Sequence, residues 1–396
     1  MLNQSVLALG KKRSTIREIF EYGNRRAAQV GRENIFDFSL GNPNVPAPEA
    51  VRETLLDIVG NQDPVAVHGY TSAQGAPAYR KAIAENLNAR FGVHYTAEQL
   101  YLTAGAAASI SICFKALTTS PEDEFVVIAP FFPEYKVFIE EGAGAKCVIV
   151  PARIEDFQIP FAAFEQSLNA HTQGVVINSP NNPCGVVYSD ETIARLAEIL
   201  TRKSEEYGHP IYLISDEPYR EIVYDGREAP FIARAYPRTL VCYSYSKSLS
   251  MPGERIGYVL VPQVEEFEDL YAAVCGAGRV LGYVCAPSLF QQTAARCAGE
   301  TADLSIYAEN RRLLYEGLTG MGYSCVKPDG AFYLFPRTLE ADDRAFCERA
   351  KKYDLLLVPG TDFGAPGHMR ISYCVQTETI VRALPLFKKL AQEYGR

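Results

Sequence analysis

An α/β architecture with a mostly parallel sheet flanked by helices, plus a smaller α+β domain, is the fold class that three features of the sequence predict. Short β-branched apolar runs alternate with helix-like stretches between about residues 100 and 260, the pattern of buried strands and their crossover helices. After Pro287 the pattern changes to long helical stretches with short strand-like pieces. The length of 396 residues suits two units better than one core, at roughly 100–200 residues per domain.

Taken in order, Thr15–Val30 has helical periodicity and stops near Gly31. It has no sheet of its own and is expected to pack on the C-terminal unit. Six apolar runs follow, at Glu124–Pro130, Lys146–Pro151, Gly174–Pro180, Ile211–Glu217, Thr239–Ser244 and Arg255–Pro262, each short enough for a central strand buried on both faces. Gly105–Thr119, Pro133–Gly142 and Ser189–Tyr207 read as helices, the last opening on Ser189-Asp190-Glu191, a capping oxygen followed by acidic residues that suit the helix dipole. Past Pro287, Ser288–Gly299 and Ala302–Gly320 read as helices. Ala331–Phe335, Leu355–Val358 and His368–Tyr373 read as short strands, and a closing helix starts at Thr377. The expected division is a large domain over 46–286 and a small domain made from 1–45 and 287–396.

Hydrophobic residues form 47% and charged residues 22% of the chain, the balance of a globular protein rather than a disordered one. The net charge of −8, with scattered Lys and Arg, argues against a nucleic-acid partner, because phosphate backbones select concentrated positive charge. Val6-Leu7-Ala8-Leu9, ahead of Lys11-Lys12-Arg13, falls short of a signal-peptide core, and no segment reaches the ~18 apolar residues of a membrane span. A cytoplasmic protein with no membrane partner is expected. Ten widely spaced cysteines without a C-x-x-C favour buried free thiols over disulfides. His68, His94, His171, His209 and His368 have no metal-ligand spacing, so no metal is expected.

Open parallel sheets bind ligands beyond the carboxyl ends of their strands. The residues at those places are Phe131-Phe132-Pro133, Asn181-Asn182-Pro183-Cys184-Gly185, Asp216-Glu217-Pro218-Tyr219 and Ser244-Tyr245-Ser246-Lys247, with Arg255 a little further on. Alone, Lys247 reads as a solvated surface lysine and Asp216 as a helix cap or ion-pair partner. Together they suit pyridoxal 5'-phosphate (PLP), which needs a lysine for its aldehyde and a carboxylate to keep its pyridine nitrogen protonated, so that the ring acts as an electron sink. Gly105, Ala106 and Ala107 put small residues at a helix N-terminus, where free N–H groups favour a phosphate. Ser244 and Arg255 add a hydroxyl and a guanidinium fork.

At these residues the sequence resembles the class I/II aminotransferases of PLP fold type I, which include aspartate, alanine and aromatic aminotransferases. The resemblance runs from about Phe36 to Tyr373. It rests on Leu40-Gly41-Asn42-Pro43, Gly69-Tyr70 leading to Gly75 and Arg80, Asn178-x-Pro180-Asn181-Asn182-Pro183-x-Gly185, Asp216-Glu217-Pro218-Tyr219, Ser244-x-Ser246-Lys247 with Arg255-x-Gly257, Pro359-Gly360 with Phe363-Gly364, and Arg370-Ile371-Ser372. The resemblance implies that Lys247 forms the Schiff base with the cofactor and then moves the Cα proton, and that Asp216 pairs with the pyridinium nitrogen. It implies that Asn182 and Tyr219 donate to the phenolic oxygen and that Phe132 stacks on the ring. Arg370, helped by the backbone of Gly41, would grip the substrate α-carboxylate. Tyr70 would reach the phosphate of a neighbouring subunit, making a homodimer. The implied reaction is transfer of an amino group from an L-amino acid, aspartate being the leading donor, to a 2-oxo acid such as 2-oxoglutarate.

Cys184 stands where the family often has threonine, the Gly105-Ala106-Ala107 loop lacks a hydroxyl, and no arginine can be assigned to a second substrate carboxylate. A PLP-dependent C–S lyase of the cystathionine β-lyase type is the alternative within the same fold. Ser244-x-x-Lys247 also satisfies the S-x-x-K pattern of serine acyl-enzymes, but S-D-N and K-T-G are missing and Lys247 is expected at a strand end rather than in a helix. Gly276-Ala277-Gly278 lacks the third glycine of a dinucleotide fingerprint.

Overall fold

The computed structural model describes residues 2–11 and 14–396; Lys12 and Arg13, which follow the first apolar run, lie outside the described residues. Helices occupy Gln4–Lys11 and Thr15–Val30, the second ending where Gly31 turns to a φ of 89° that a side chain would resist. Strand β1 (Phe36–Asp37) follows and pairs in parallel with a C-terminal strand at Leu355–Leu356, and the Thr15–Val30 helix contacts the strand at Val358–Pro359; we propose that this segment belongs with the C-terminal unit.

The central sheet comprises β2 (Leu100–Thr103), β3 (Glu124–Ile128), β4 (Lys146–Val150), β5 (Thr172–Asn178), β6 (Tyr212–Asp216), β7 (Thr239–Ser244) and β8 (Gly257–Leu260), in the order β2-β8-β7-β6-β5-β3-β4. The pairs β4–β3–β5–β6–β7 are parallel, while β8 runs antiparallel to β7 and β2. All six expected runs are strands. Alternation along them divides the core: Val126, Val175 and Leu213 face a cluster with the Asp190–Tyr207 helix, and Val127, Val176 and Ile214 face one with the Ala106–Leu117 helix. Ser189 caps the Asp190–Tyr207 helix by accepting from the Thr192 N–H at 3.2 Å. After β3 the chain moves to β4 on one side, and after β5 to β6 on the other. The crevice between β3 and β5, where the direction of winding reverses, is where such sheets hold ligands.

The smaller unit contains β9 (Tyr333–Leu334), β10 (Leu355–Leu356), β11 (Val358–Pro359) and β12 (Met369–Ser372), with helices Ser305–Gly320 and Thr377–Gln392 packed on one another. The single strand expected at Leu355–Val358 is split: β10 pairs with β1, and after Leu357 the chain crosses to pair β11 with β12. One further helix departs from expectation. Ser288–Arg296 packs on helices Glu49–Asn61 and Pro77–Phe91, and Ala294, Ala295 and Cys297 share a buried cluster with Val51, Ile83 and Leu87. That packing disagrees with a boundary at 287, and we propose one beyond Arg296. A change from strand-rich to helix-rich pattern is not a change of packing partner. All ten cysteines are free, and among the described residues no helix is long and apolar enough to cross a membrane.

Candidate active site

Parallel register sets the ends of three strands side by side, with Asn178 opposite Asp216 and Asp216 opposite Cys242 two residues before Ser244. Asn178 locks this edge. Its amide nitrogen donates to the Asp216 carbonyl oxygen at 2.8 Å, and its amide oxygen accepts from the Asn182 N–H at 2.7 Å. Asn182 in turn accepts from the Arg370 guanidinium at 3.0 Å, tying β12 of the smaller unit to the turn after β5.

Asp216 is buried. One carboxylate oxygen accepts from the Tyr135 hydroxyl, and the other, Oδ1, has no partner. Burial pushes its pKa up to about 7; the Tyr135 bond opposes this and the neighbouring Glu217 charge reinforces it. A buried carboxylate oxygen without a donor costs stability until a hydrogen-bond donor or a cation meets it.

Lys247 stands in a single helical turn, Tyr245–Ser248, immediately after β7. The expectation of a strand-end lysine outside a helix is therefore corrected: Ser244 closes the strand and leads directly into the turn. The placement expected of Lys247 no longer argues against the S-x-x-K reading, which is left with the missing companion motifs. Lys247 Nζ donates to the Gly41 carbonyl oxygen at 2.5 Å. Removal from bulk water lowers its pKa to about 8, with the Arg370 and Arg255 charges acting in the same direction and Cys374 opposing them.

Gly105 precedes the Ala106–Leu117 helix with a φ of 86°, and a Cβ there would lie 2.7 Å from an Arg255 guanidinium nitrogen. Arg255, itself at a φ of 53°, is thus seated against the helix N-terminus and donates to the Pro252 carbonyl oxygen. Guanidinium, helix dipole and the Ser244 and Ser246 hydroxyls at the same cavity form a cradle for an anion. Arg370 lies buried between the rings of Tyr333 and Phe363, its carbon 4.7 and 4.9 Å from their centroids. Its hydrogen-bond partners are the uncharged Asn182 amide oxygen and Ser39 carbonyl oxygen, and its Nε has none. A buried guanidinium met only by neutral groups is short of an anion.

Gly41, Ala106, Ala107, Phe132, Asn182, Asp216, Tyr219, Ser244, Lys247, Arg255 and Arg370 line one cavity of about 290 Å³, and Gly105 abuts Arg255 at its edge. Tyr70 is 90% exposed and stands outside it. Sequence reasoning gave no role to Tyr135, Asn178 or Tyr333. Asn178 opens the Asn-x-Pro-Asn-Asn motif and could have been singled out; Tyr135, between Glu134 and Lys136, carries no motif, and Tyr333 sits in an apolar stretch that reads as packing. An aldehyde-bearing pyridine phosphate fits what is present: an amine held below its usual pKa, a buried carboxylate oxygen awaiting a donor, and an anion cradle.

A mostly parallel sheet with a cavity at its carboxyl edge, closed by a strand of a smaller unit, is the class I aminotransferase fold. The chain belongs to the aminotransferase class I and II family, whose profile matches residues 33–385, and it is a transaminase. A crystal structure of an amino transferase from Eubacterium rectale is similar over 100% of both chains, at 60% identity and a TM-score of 0.97. The aspartate/prephenate aminotransferase of Thermus thermophilus is 30% identical over 376 residues, 93% of this chain and 94% of the relative. A structure of Thermus thermophilus aspartate aminotransferase with maleate matches with a TM-score of 0.87 at 27% identity, covering 98% and 99% of the two chains. These relatives are named as aminotransferases, and the C–S lyase alternative finds no support among them.

Proposed function

We propose that this transaminase carries PLP on Lys247 and moves an amino group from an L-amino acid, with aspartate as the leading donor, to a 2-oxo acid such as 2-oxoglutarate. The observation that carries this reading is one cavity shared by a pKa-lowered lysine and a buried carboxylate with an unpartnered oxygen. When bound, the cofactor supplies an aldehyde for the amine and an electron sink for the bond broken at the substrate Cα.

The chain's own groups do the rest. Asp216 Oδ1 accepts the pyridine N–H and holds that proton in place. Lys247, partly neutral near pH 8, takes and returns the proton at Cα. Arg255, Ser244 and the helix N-terminus at Gly105, Ala106 and Ala107 hold the phosphate. Tyr219 and Asn182 donate to the phenolic oxygen, Phe132 covers the ring, and Arg370 with the Gly41 backbone binds the α-carboxylate. Tyr70, exposed in one copy, reaches the phosphate of a second, so the working unit is a homodimer. The names of the Thermus thermophilus relatives support aspartate as donor.

The test is the absorbance spectrum of the purified protein with PLP, before and after aspartate, alanine, glutamate or cystathionine is added singly without an oxo acid. A visible band that one donor removes is expected, and that donor names a substrate. Pyruvate released from cystathionine while the band persists would make the protein a lyase, and no band at all would end the cofactor assignment. Lys247→Ala should lose both the band and turnover.

A further inference from the structure

Tyr333 lies on β9 and is drawn into the site by pairing with β12, where it stands opposite Ser372. Its hydroxyl is 2.8 Å from the Tyr219 hydroxyl. Its ring lies beneath the Arg370 guanidinium and meets the Tyr219 ring edge-on, with centroids 5.7 Å apart at 80°. On the remaining side is Gly41, where a Cβ would come within 1.9 Å of the Tyr333 oxygen, so the backbone whose carbonyl receives Lys247 is packed directly on this hydroxyl. One buried phenol thus touches a proposed cofactor donor, the proposed carboxylate clamp and the segment that holds the lysine.

We propose that Tyr333 is a positioning residue that orients the Tyr219 proton toward the cofactor's phenolic oxygen while holding the Arg370 guanidinium flat for the substrate carboxylate. The inference rests on the PLP reading above.

A phenol has one proton to give. If Tyr219 spent its proton on Tyr333, none would remain for the cofactor oxygen; if Tyr333 donates, Tyr219 accepts and its own proton is free to point into the cavity. Arg370 on β12 and Cys374 just beyond it act on Tyr333, Lys247 lies 6.0 Å from the centre of the Tyr219 ring, and the Asp216 charge acts on Tyr219. Burial raises the pKa of both phenols, and the Arg370 charge opposes this at each. Once Tyr219 donates to an anionic phenolic oxygen its own oxygen is left to accept, and Tyr333, whose ring lies 4.7 Å from the Arg370 cation, is the donor beside it. Tyr219 is left aimed at the cofactor by a neighbour 114 residues away in the chain.

The experiment is a pH titration of the visible band of the PLP-loaded protein, without substrate, for wild type, Tyr333→Phe, Tyr219→Phe and the double variant. Steady-state kinetics and thermal unfolding are recorded on the same samples. Tyr333→Phe keeps the ring under Arg370 and removes only the hydroxyl. Its titration midpoint is expected to rise by roughly half to one pH unit, because the anionic phenolic oxygen loses donor strength. Its kcat should fall roughly 2- to 10-fold with KM for the amino acid little changed. In the Tyr219→Phe background the same substitution should add no further shift, since it acts through Tyr219. Tyr333→Leu, which also removes the ring, should raise KM as well. A wild-type midpoint in a folded Tyr333→Phe protein, or shifts that simply add in the double variant, would overturn the proposal while leaving the PLP reading intact. A wild-type protein with no visible band would remove both.

Discussion

Asp216 carries a buried oxygen with nothing to accept from, and its surroundings give that oxygen a pH dependence. Its folded pKa of about 7 lies above its ordinary value of 3.8. Between these values the folded, cofactor-free protein holds a proton that the unfolded chain has released. The contribution to stability is therefore full below about pH 4 and is lost as pH rises through about 7. The denaturant midpoint of cofactor-free wild type should fall between about pH 4 and 7 more steeply than that of Asp216→Asn; parallel curves would count against a protonated Asp216. In the loaded protein Asp216→Asn should still bind PLP weakly but lose most turnover, as the ring nitrogen loses its counter-charge. Arg370 makes the complementary case, a buried cation lacking an anion. Arg370→Ala should lower kcat/KM for amino acids by roughly 10- to 150-fold, the size of a charge-assisted hydrogen bond to a carboxylate; unaltered kinetics would mean that another group binds the carboxylate.

At the scale of elements, function depends on where helices and strands stop. The Ala106–Leu117 helix begins at Gly105 because only a residue without Cβ can hold a φ of 86° with Arg255 so close. Gly105→Ala should push the guanidinium away from the helix N-terminus and weaken PLP binding by about tenfold or more. Gly276→Ala, where a Cβ meets nothing within 4 Å, serves as the control. Fluorescence titration of the cofactor-free proteins with PLP would check both. The six apolar runs were legible as strands because each is β-branched and followed by turn residues, which also made the loops after them readable as a site. Strand β2 was not recognised: Leu100-Tyr101-Leu102-Thr103 is four residues long and joins a 3-10 turn at Ala97–Gln99 without punctuation. β10 and β11 were merged because a two-residue strand leaves no periodicity to read.

For the whole molecule, Tyr70 poses the main question, since a residue expected in the site is 90% exposed. We read this as a face for a second copy. Light scattering should return about twice the 43.8 kDa chain mass. Co-expression supplies the sharper check. Lys247→Ala and Tyr70→Ala proteins, each weak alone, should regain activity as hybrids, because one of the two sites then combines an intact Lys247 with the partner's intact Tyr70. Hybrids no better than their parents would place Tyr70 in its own copy's site or in none.

The sequence by itself determined the α/β class, the positions of the main strands along the chain and the identity of most residues around the cavity. These depend on short-range properties: period-two and helical alternation, capping, and motifs in which chemical groups are near neighbours at strand ends. Only the tertiary structure decided which distant groups meet. Asn182 bonds Arg370 across 188 residues, Tyr219 meets Tyr333 across 114, Asp216 is left with one oxygen free, and the Ser288–Arg296 helix belongs with helices near the N-terminus. Periodicity specifies which face of an element is buried, while sheet order and packing choose what that face is buried against.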